Sequence, residues 1–172
     1  MRHNSSFRIG LLALLIFLLD QGTKLIVTQQ LYLGEERVLI PGFFKFVHWG
    51  NTGAAWSLFF DNNTILTVVG VVALVILVWI RHHFDIDRLG GQISLGLIFG
   101  GIVGNLTDRL LRDHVVDFVY FYVMRRNGDE AGFAAFNVAD SAICVGVGLL
   151  FVLSWQKDER EARNGPEVEL KG

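Results

Sequence analysis

The sequence predicts a mainly α-helical, polytopic membrane protein with four transmembrane helices and a small β-sheet at one membrane surface. Two observations support this fold class. Of the 172 residues, 52% are hydrophobic and only 19% are charged, whereas soluble domains carry about 25% charged residues. The apolar residues also form four blocks, at residues 9–27, 64–80, 93–111 and 138–155. A spanning helix needs about 20 residues. The blocks reach this length, some of them only when their flanking residues are included.

The first block resembles a cleaved signal peptide, because Arg2 and Arg8 precede its apolar stretch. No small-residue cleavage site follows that stretch. Polar residues follow instead, from Asp20 to Lys24. We therefore expect the first block to be retained as a membrane span.

The chain between the first two blocks predicts a small β-rich platform on the membrane surface, at about residues 36–60. Two runs of mainly β-branched and aromatic residues, 38–40 and 43–47, flank Pro41 and Gly42. Such runs on either side of a Pro-Gly turn are typical of two paired strands.

The third and fourth blocks carry small residues at helical spacing. The third contains Gly96, Gly100 and Gly104, and the fourth contains Ala142 and Gly146. Small residues four apart let helices approach closely in lipid, so we expect the third and fourth spans to pack tightly. The alternative is that glycine is simply common in membrane helices.

Four spans place both termini on the same side of the membrane. That side carries eight Lys and Arg residues and the opposite side carries seven, so the positive-inside rule favours cytoplasmic termini by a small excess. Residues 1–156 then form one membrane domain. Residues 157–172 are charged and lack apolar periodicity, which predicts a mobile cytoplasmic tail.

Composition argues against several functional classes. A net charge of −2 provides no basic field for nucleic acid. The single cysteine, Cys144, supports neither a disulfide framework nor a cysteine-based metal site, and the five histidines lack the HExxH spacing. We therefore expect no metal, no cofactor and no nucleic-acid partner.

Polar side chains gather at one face of the predicted membrane domain. An ionisable residue at the centre of a span costs roughly 2.5–3.5 kcal/mol, so each one needs a reason. The first and third spans leave the membrane on the side where the fourth enters, so their polar ends share one layer. This layer contains Asp20, Lys24, Asn105, Asp108, Arg109, Asn137 and Asp140, with Asn51, Asp113 and Asp117 in loops on the same side.

Structural roles account for several of these residues. Asp20 and Lys24 are four apart, which is the spacing of an ion pair on one helix face. Asp108 can neutralise the arginine beside it. Asn137 and Asp140 have the spacing of a capping box at the start of a helix.

Asp117 is harder to explain, because it lies in an apolar stretch, residues 114–121. Burial raises the pKa of a carboxyl group, and a second carboxylate nearby raises one of the two further. Two carboxyl groups that share a proton are what an aspartic protease needs. Asp140 is a suitable partner for Asp117, although Asp20, Asp108 and Asp113 remain alternatives.

Five short motifs join these residues in one order along the chain. They are Asp20-Gln21-Gly22-Thr23-Lys24, Asn51-Thr52-Gly53-Ala54-Ala55-Trp56-Ser57, Gly104-Asn105-Leu106-Thr107-Asp108-Arg109, Val115-Val116-Asp117-Phe118 and Phe136-Asn137-Val138-Ala139-Asp140-Ser141. With these motifs the sequence resembles the lipoprotein signal peptidase (signal peptidase II) family of bacterial membrane aspartic peptidases, over roughly residues 8–155. One such motif is weak, but five in order are highly specific.

The resemblance implies a four-helix enzyme of the bacterial inner membrane, with both termini cytoplasmic and an extracytoplasmic β-cradle beside a short helix. The implied substrate is a prolipoprotein whose cysteine already carries diacylglycerol, cleaved just before that cysteine. No cofactor is implied. Membrane lipids are the other expected partners, and we expect the enzyme to be a monomer.

The resemblance also implies roles for individual residues. The family's catalytic aspartates match Asp117 and Asp140. The residues that match its polar positions, as substrate-binding or dyad-supporting groups, are Asn51, Asn105, Arg109, Asn137, Asp20 and Lys24.

Two other classes of function fit intramembrane acids. One is a small transporter or proton pathway, which the confinement of the polar residues to one layer disfavours. The other is a non-catalytic membrane scaffold, in which the acids only cap helices and form ion pairs.

Overall fold

A computed structural model describes residues 2–53, 62–81, 84 and 88–163. It contains four helices, α1 (Arg2–Gln30), α2 (Asn63–Ile80), α3 (Leu89–Arg112) and α4 (Val138–Arg163). It also contains four strands, β1 (Glu36–Ile40), β2 (Phe44–Asn51), β3 (Val115–Met124) and β4 (Glu130–Gly132). The predicted fold class, four long apolar helices with a small sheet, is confirmed.

All four helices are long and apolar enough to cross a membrane. The candidate spans are Ser5–Gln30, Asn63–Ile80, Leu89–Arg112 and Val138–Glu159. The tail expected from residue 157 differs from the structure, because α4 continues to Arg163. Residues 157–163 are therefore helical, and residues 164–172 lie outside the described part of the chain.

Helix α3 lies between α1 and α4, and its glycines allow both contacts. A Cβ atom at Gly100 would come within 2.6 Å of the Ala13 carbonyl oxygen on α1, and one at Gly101 within 2.5 Å of the Ala139 carbonyl oxygen on α4. The expected close packing of the third and fourth spans is present. Helix α1, however, also packs against the glycines spaced by four, since Gly96 faces Leu12.

The sheet is antiparallel, with strand order β1-β2-β3-β4. The first two strands are those expected around Pro41 and Gly42, and Gly42 supplies a φ of +74° at the turn. The other two strands, which come from the chain between α3 and α4, were not predicted. Residues 54–60 of the predicted platform lie outside the described residues.

The turn from α3 into β3 positions the chain for the polar layer. Asp113 caps α3 in the left-handed conformation, with a φ of 62°. Aspartate tolerates this conformation better than most residues, because its short side chain bonds locally. The chain thus reverses at once, and Val116 and Asp117 return over the ends of α3 and α1.

Candidate active site

Asp117 lies on β3 and is almost completely buried, with 3% of its surface exposed. Each of its carboxylate oxygens accepts a hydrogen bond from an asparagine side chain. Asn51 donates to Oδ2 and Asn137 donates to Oδ1, both over 2.9 Å. Because Asn51 ends β2, the pairing of β2 with β3 delivers this partner to Asp117.

Asp140 lies in the first turn of α4 and is partly exposed. Its Oδ1 accepts from Asn105 Nδ2 over 2.7 Å, and its Oδ2 accepts from the backbone N–H of Asn137 over 3.1 Å. The Asp140 N–H in turn donates to Asn137 Oδ1 over 2.9 Å. This reciprocal pair is a capping box, so the expected cap is present at a residue that also faces the site.

Asn137 links the two acids. Its side chain donates to Asp117 and its backbone donates to Asp140. It is completely buried, and its Nδ2 also lies 3.2 Å from Asn105 Oδ1. One asparagine at the start of α4 therefore bonds both to a carboxylate on a strand and to a carboxylate on a helix.

The environment of Asp117 favours its protonated form. Burial, and after it the negative charge of Asp140, raises the pKa of Asp117 to about 7, although the amides of Asn51 and Asn137 favour the ionised form. A carboxyl group with this pKa can donate a proton at neutral pH. The two acids can therefore hold one proton between them.

A second set of charges lies directly behind this pair, and we call it the helix triad: Asp20, Lys24 and Asp108. All three side chains are completely buried. The Lys24 ammonium lies 2.8 Å from a carboxylate oxygen of each acid. The i,i+4 pair of Asp20 and Lys24 was expected. Its contact with Asp108 was not, because Asp108 lies on α3, far along the chain.

Two further residues complete this layer and were missed by sequence reasoning. Gln21 Nε2 lies 3.1 Å from both Asp20 Oδ2 and Asp108 Oδ1. Arg112 forms an ion pair with Asp108. The available signal was the four-residue spacing of Asp108 and Arg112 on one helix face.

Arg109 bonds to neither acid of the pair in the part of the chain that the structure describes. Its guanidinium donates to Asn63 Oδ1 over 3.0 Å and to the Gly53 carbonyl over 3.3 Å. These partners flank residues 54–61, which lie outside the described residues and include four residues of the second motif. Arg109 thus connects α3 to both ends of that segment.

The geometry leaves Asp113 outside the site. It is exposed at the end of α3, whereas Asp20 and Asp108 are both committed to Lys24. Within the described residues, no group of three or more His, Cys, Asp or Glu side chains could hold a metal ion. The chemistry available is proton transfer by two carboxyl groups that differ in exposure.

The chain is similar to known proteins over most of its length. The family model described as signal peptidase (SPase) II matches residues 12–156. A lipoprotein signal peptidase of Anoxybacillus flavithermus is 37% identical over 156 residues, covering 87% of this chain and 86% of the relative. A lipoprotein signal peptidase of Bacillus subtilis is 37% identical over 148 residues, covering 83% and 89%.

The fold matches a solved structure as well. A structure described as a bacterial membrane enzyme superposes with a TM-score of 0.71 at 30% identity, covering 94% of this chain and 93% of the other. The similarity therefore extends over the helices and the sheet together.

Proposed function

Because the chain belongs to the signal peptidase II family, we propose that Asp117 and Asp140 are the catalytic pair with which it cleaves its substrates. The activity itself follows from the family: the chain is a membrane peptidase that removes signal peptides from prolipoproteins. The observation that carries the assignment of the pair is Asn137, which bonds to one carboxylate through its side chain and to the other through its backbone.

In the proposed mechanism, the pair holds one proton, and this proton resides on Asp117 when the substrate binds. Ionised Asp140 takes a proton from water while the water oxygen bonds to the scissile carbonyl carbon, and Asp117 protonates the carbonyl oxygen. On collapse of the intermediate, Asp140 gives its proton to the amide nitrogen and the C–N bond breaks. Asp117 recovers a proton from the intermediate's hydroxyl, which restores the starting state.

The different environments of the two acids support this division of roles. The pKa of Asp117 is raised to about 7, mainly by burial, which suits the acid that holds the shared proton at the start. Asp140 is the more exposed of the two, which suits the acid that meets water. Asn51, Asn105 and Asn137 act as dyad-supporting residues that fix the carboxylate planes.

Arg109 is proposed as a substrate-binding residue. Its charge interacts with those of both Asp117 and Asp140, so it lies close to the reaction centre. A guanidinium has five N–H groups, and the described residues use only part of them, at Asn63 and Gly53. A remaining N–H can receive a carbonyl of the bound signal peptide.

The proposed substrate is a prolipoprotein whose cysteine carries diacylglycerol, cleaved just before that cysteine. The proposed location is the bacterial inner membrane, with both termini cytoplasmic and the pair near the extracytoplasmic face. Residues 1–156 would form the peptidase domain of a monomer. Support comes from the position of the polar layer, which lies where α3 ends and α4 begins, beside the sheet.

The experiment is cleavage of a prolipoprotein by the purified enzyme in lipid, with and without the diacylglyceryl group on the cysteine. The Asp140→Asn variant serves as the inactive control. We expect the lipidated substrate alone to be cleaved, and only by the unmodified enzyme. Equal cleavage of both substrates would contradict the lipid requirement, and full activity of Asp140→Asn would contradict the catalytic pair.

A further inference from the structure

The residue before each proposed catalytic aspartate is held by a buried carboxylate. The Val116 N–H, next to Asp117, donates to Asp108 Oδ2 over 3.1 Å. The Ala139 N–H, next to Asp140, donates to Asp20 Oδ1 over 3.0 Å. The same arrangement thus occurs twice, once on a strand and once on a helix.

Lys24 joins the two carboxylates. Its ammonium contacts Asp20 Oδ2 and Asp108 Oδ2, each at 2.8 Å, and donates to Asn105 Oδ1 over 3.1 Å. An ammonium has three N–H donors, so every donor of Lys24 has a partner. The third partner, Asn105, itself donates to Asp140.

We propose that Lys24 is a positioning residue for hydrolysis: its ammonium ties together the two carboxylates that hold the chain next to Asp117 and Asp140, and so sets the separation of the catalytic pair. This inference rests on the proposed function, because it takes these aspartates as the pair. Lys24 is completely buried, and its three donors are all occupied by protein groups. Its effect passes through its three partners, Asp20, Asp108 and Asn105.

The surrounding packing agrees with a positioning role. A Cβ atom at Gly104 would come within 2.6 Å of Asp20 Oδ2, so the helix α3 backbone leaves room for that carboxylate at this one place. Gln21 donates to the Gly104 carbonyl over 3.2 Å and also to the carboxylates of Asp20 and Asp108. The carboxylates are therefore fixed by close contacts from two helices as well as by charge.

Stability alone is a poor reason for such a group of charges. Taking charged side chains out of water is costly, and well-packed apolar side chains in place of a buried ion pair often leave stability unchanged or improve it. With Arg112, the charges of the helix triad sum to zero. What apolar residues could not provide is a fixed connection to two backbone N–H groups.

The test compares Lys24→Met with Lys45→Met. Lys45 is also buried between two carboxylates, those of Glu36 and Glu130, but these lie in the sheet. Both variants remove one buried ammonium and keep an unbranched apolar side chain. We expect Lys24→Met to lower kcat about 100-fold, the loss associated with a displacement of about 1 Å in an active site. Its KM should stay unchanged, and Lys45→Met should keep the wild-type kcat.

Hydrogen exchange provides a readout that is independent of catalysis. In Lys24→Met we expect the amides of Val116 and Ala139 to exchange about tenfold faster, as for a local opening that has become easier. Lys45→Met should leave both amides unchanged. Equal exchange at these amides in Lys24→Met and the unmodified enzyme would overturn the proposal, whatever the activity.

A second variant separates positioning from charge balance. Lys24→Met alone leaves Asp20 without a cation, so this variant can lose stability. Combining Lys24→Met with Asp20→Asn removes that charge, and the amide oxygen introduced at position 20 can still accept from the Ala139 N–H. We expect the melting temperature of the double variant to recover while its kcat stays low. Recovery of the wild-type kcat would show that Lys24 only neutralises Asp20 and would refute the positioning role.

The catalytic role of the aspartate pair and the positioning role of Lys24 are separable by experiment. Full activity of Asp140→Asn would remove the catalytic pair, and the positioning role with it. An inactive Asp140→Asn beside a fully active, folded Lys24→Met would leave the catalytic pair standing and refute the positioning role alone.

Discussion

Two lysines in this protein have nearly the same contacts and different surroundings. Lys24 lies between Asp20 and Asp108, and Lys45 lies between Glu36 and Glu130; we call the latter group the sheet triad. The acids of the helix triad are completely buried, whereas those of the sheet triad are 37% and 40% exposed. The same charge pattern thus occurs in two settings, which differ in what the acids contact next.

The sheet triad connects strands. Lys45 joins β1 to β4 across the sheet, and its ammonium lies 5.2 Å and 4.9 Å from the ring centroids of Tyr120 and Tyr122. Burial by itself lowers the pKa of Lys45, but the carboxylates of Glu130 and Glu36 outweigh it and raise that pKa. The acids of the helix triad instead hold the backbone next to the proposed catalytic pair.

The largest expected effect belongs to the pair itself. We expect Asp117→Asn and Asp140→Asn each to lower kcat by about 10⁴-fold or more, because both proton transfers need a carboxyl group. The measurement is turnover of lipidated prolipoprotein, with circular dichroism as a test of folding. Asp113→Asn is the matched control, since this exposed residue bonds to neither acid among the described residues and asparagine tolerates its left-handed backbone. A similar loss of kcat in Asp113→Asn would show that the loss is not specific to the two acids of the pair.

Asn137 should come next. Asn137→Ala removes the donor to Asp117 and the side-chain oxygen that caps α4, and loss of a cap costs about 0.5–2 kcal/mol. We expect kcat to fall about 100-fold from displacement of the carboxylates, together with a lower melting temperature. The control is Asn127→Ala. The Asn127 side chain bonds to Asp129 in an exposed turn. An equal loss of kcat in the two variants would contradict the linking role of Asn137.

The dependence of kcat on pH tests the contrast between the two lysines more finely. Since the raised pKa of Asp117 is about 7, we expect kcat to decline above that pH as the pair loses its proton. Asp140 raises this pKa and Lys24 lowers it, and the charge of Arg109 also interacts with that of Asp117. Lys24→Met should therefore move the decline to higher pH.

Carboxyl carbon-13 shifts of labelled aspartate measure this pKa directly. In Asp140→Asn the pKa of Asp117 should fall, because the neighbouring negative charge is gone. In Lys45→Met it should stay unchanged, since Lys45 is not among the groups that act on Asp117. An equal change in the pKa of Asp117 in Lys24→Met and Lys45→Met would show that the helix triad acts on Asp117 no more strongly than the sheet triad does.

The smallest effect is expected in the sheet triad. Glu130 is 40% exposed, so water screens its ion pair with Lys45, and such pairs contribute about 0–1 kcal/mol. Glu130→Gln should lower the free energy of unfolding by no more than that and leave kcat unchanged. Thermal unfolding and turnover, measured on the same preparation, check both points. A large loss of kcat would give the sheet triad a catalytic function that its contacts do not suggest.

The membrane-spanning elements and the local motifs could be predicted from the order of residues alone. Each span could be predicted because a run of about 20 consecutive apolar residues is seldom anything other than a membrane span. The capping box of Asn137 and Asp140 and the ion pair of Asp20 and Lys24 were equally accessible, because both partners lie within one helical turn of each other. The apolar surroundings of Asp117 marked it as unusual before any partner was known.

The meeting of distant groups, in contrast, depends on the folded chain. Strand β3 was missed, because two helices, α2 and α3, separate it from its partner β2 along the chain. The bonds from Asp108 to Val116 and from Asp20 to Ala139 depend on how α1, α3 and α4 rotate against one another. Local periodicity shows which face of a helix is apolar, but the pairing of buried polar groups depends on which faces are brought into contact.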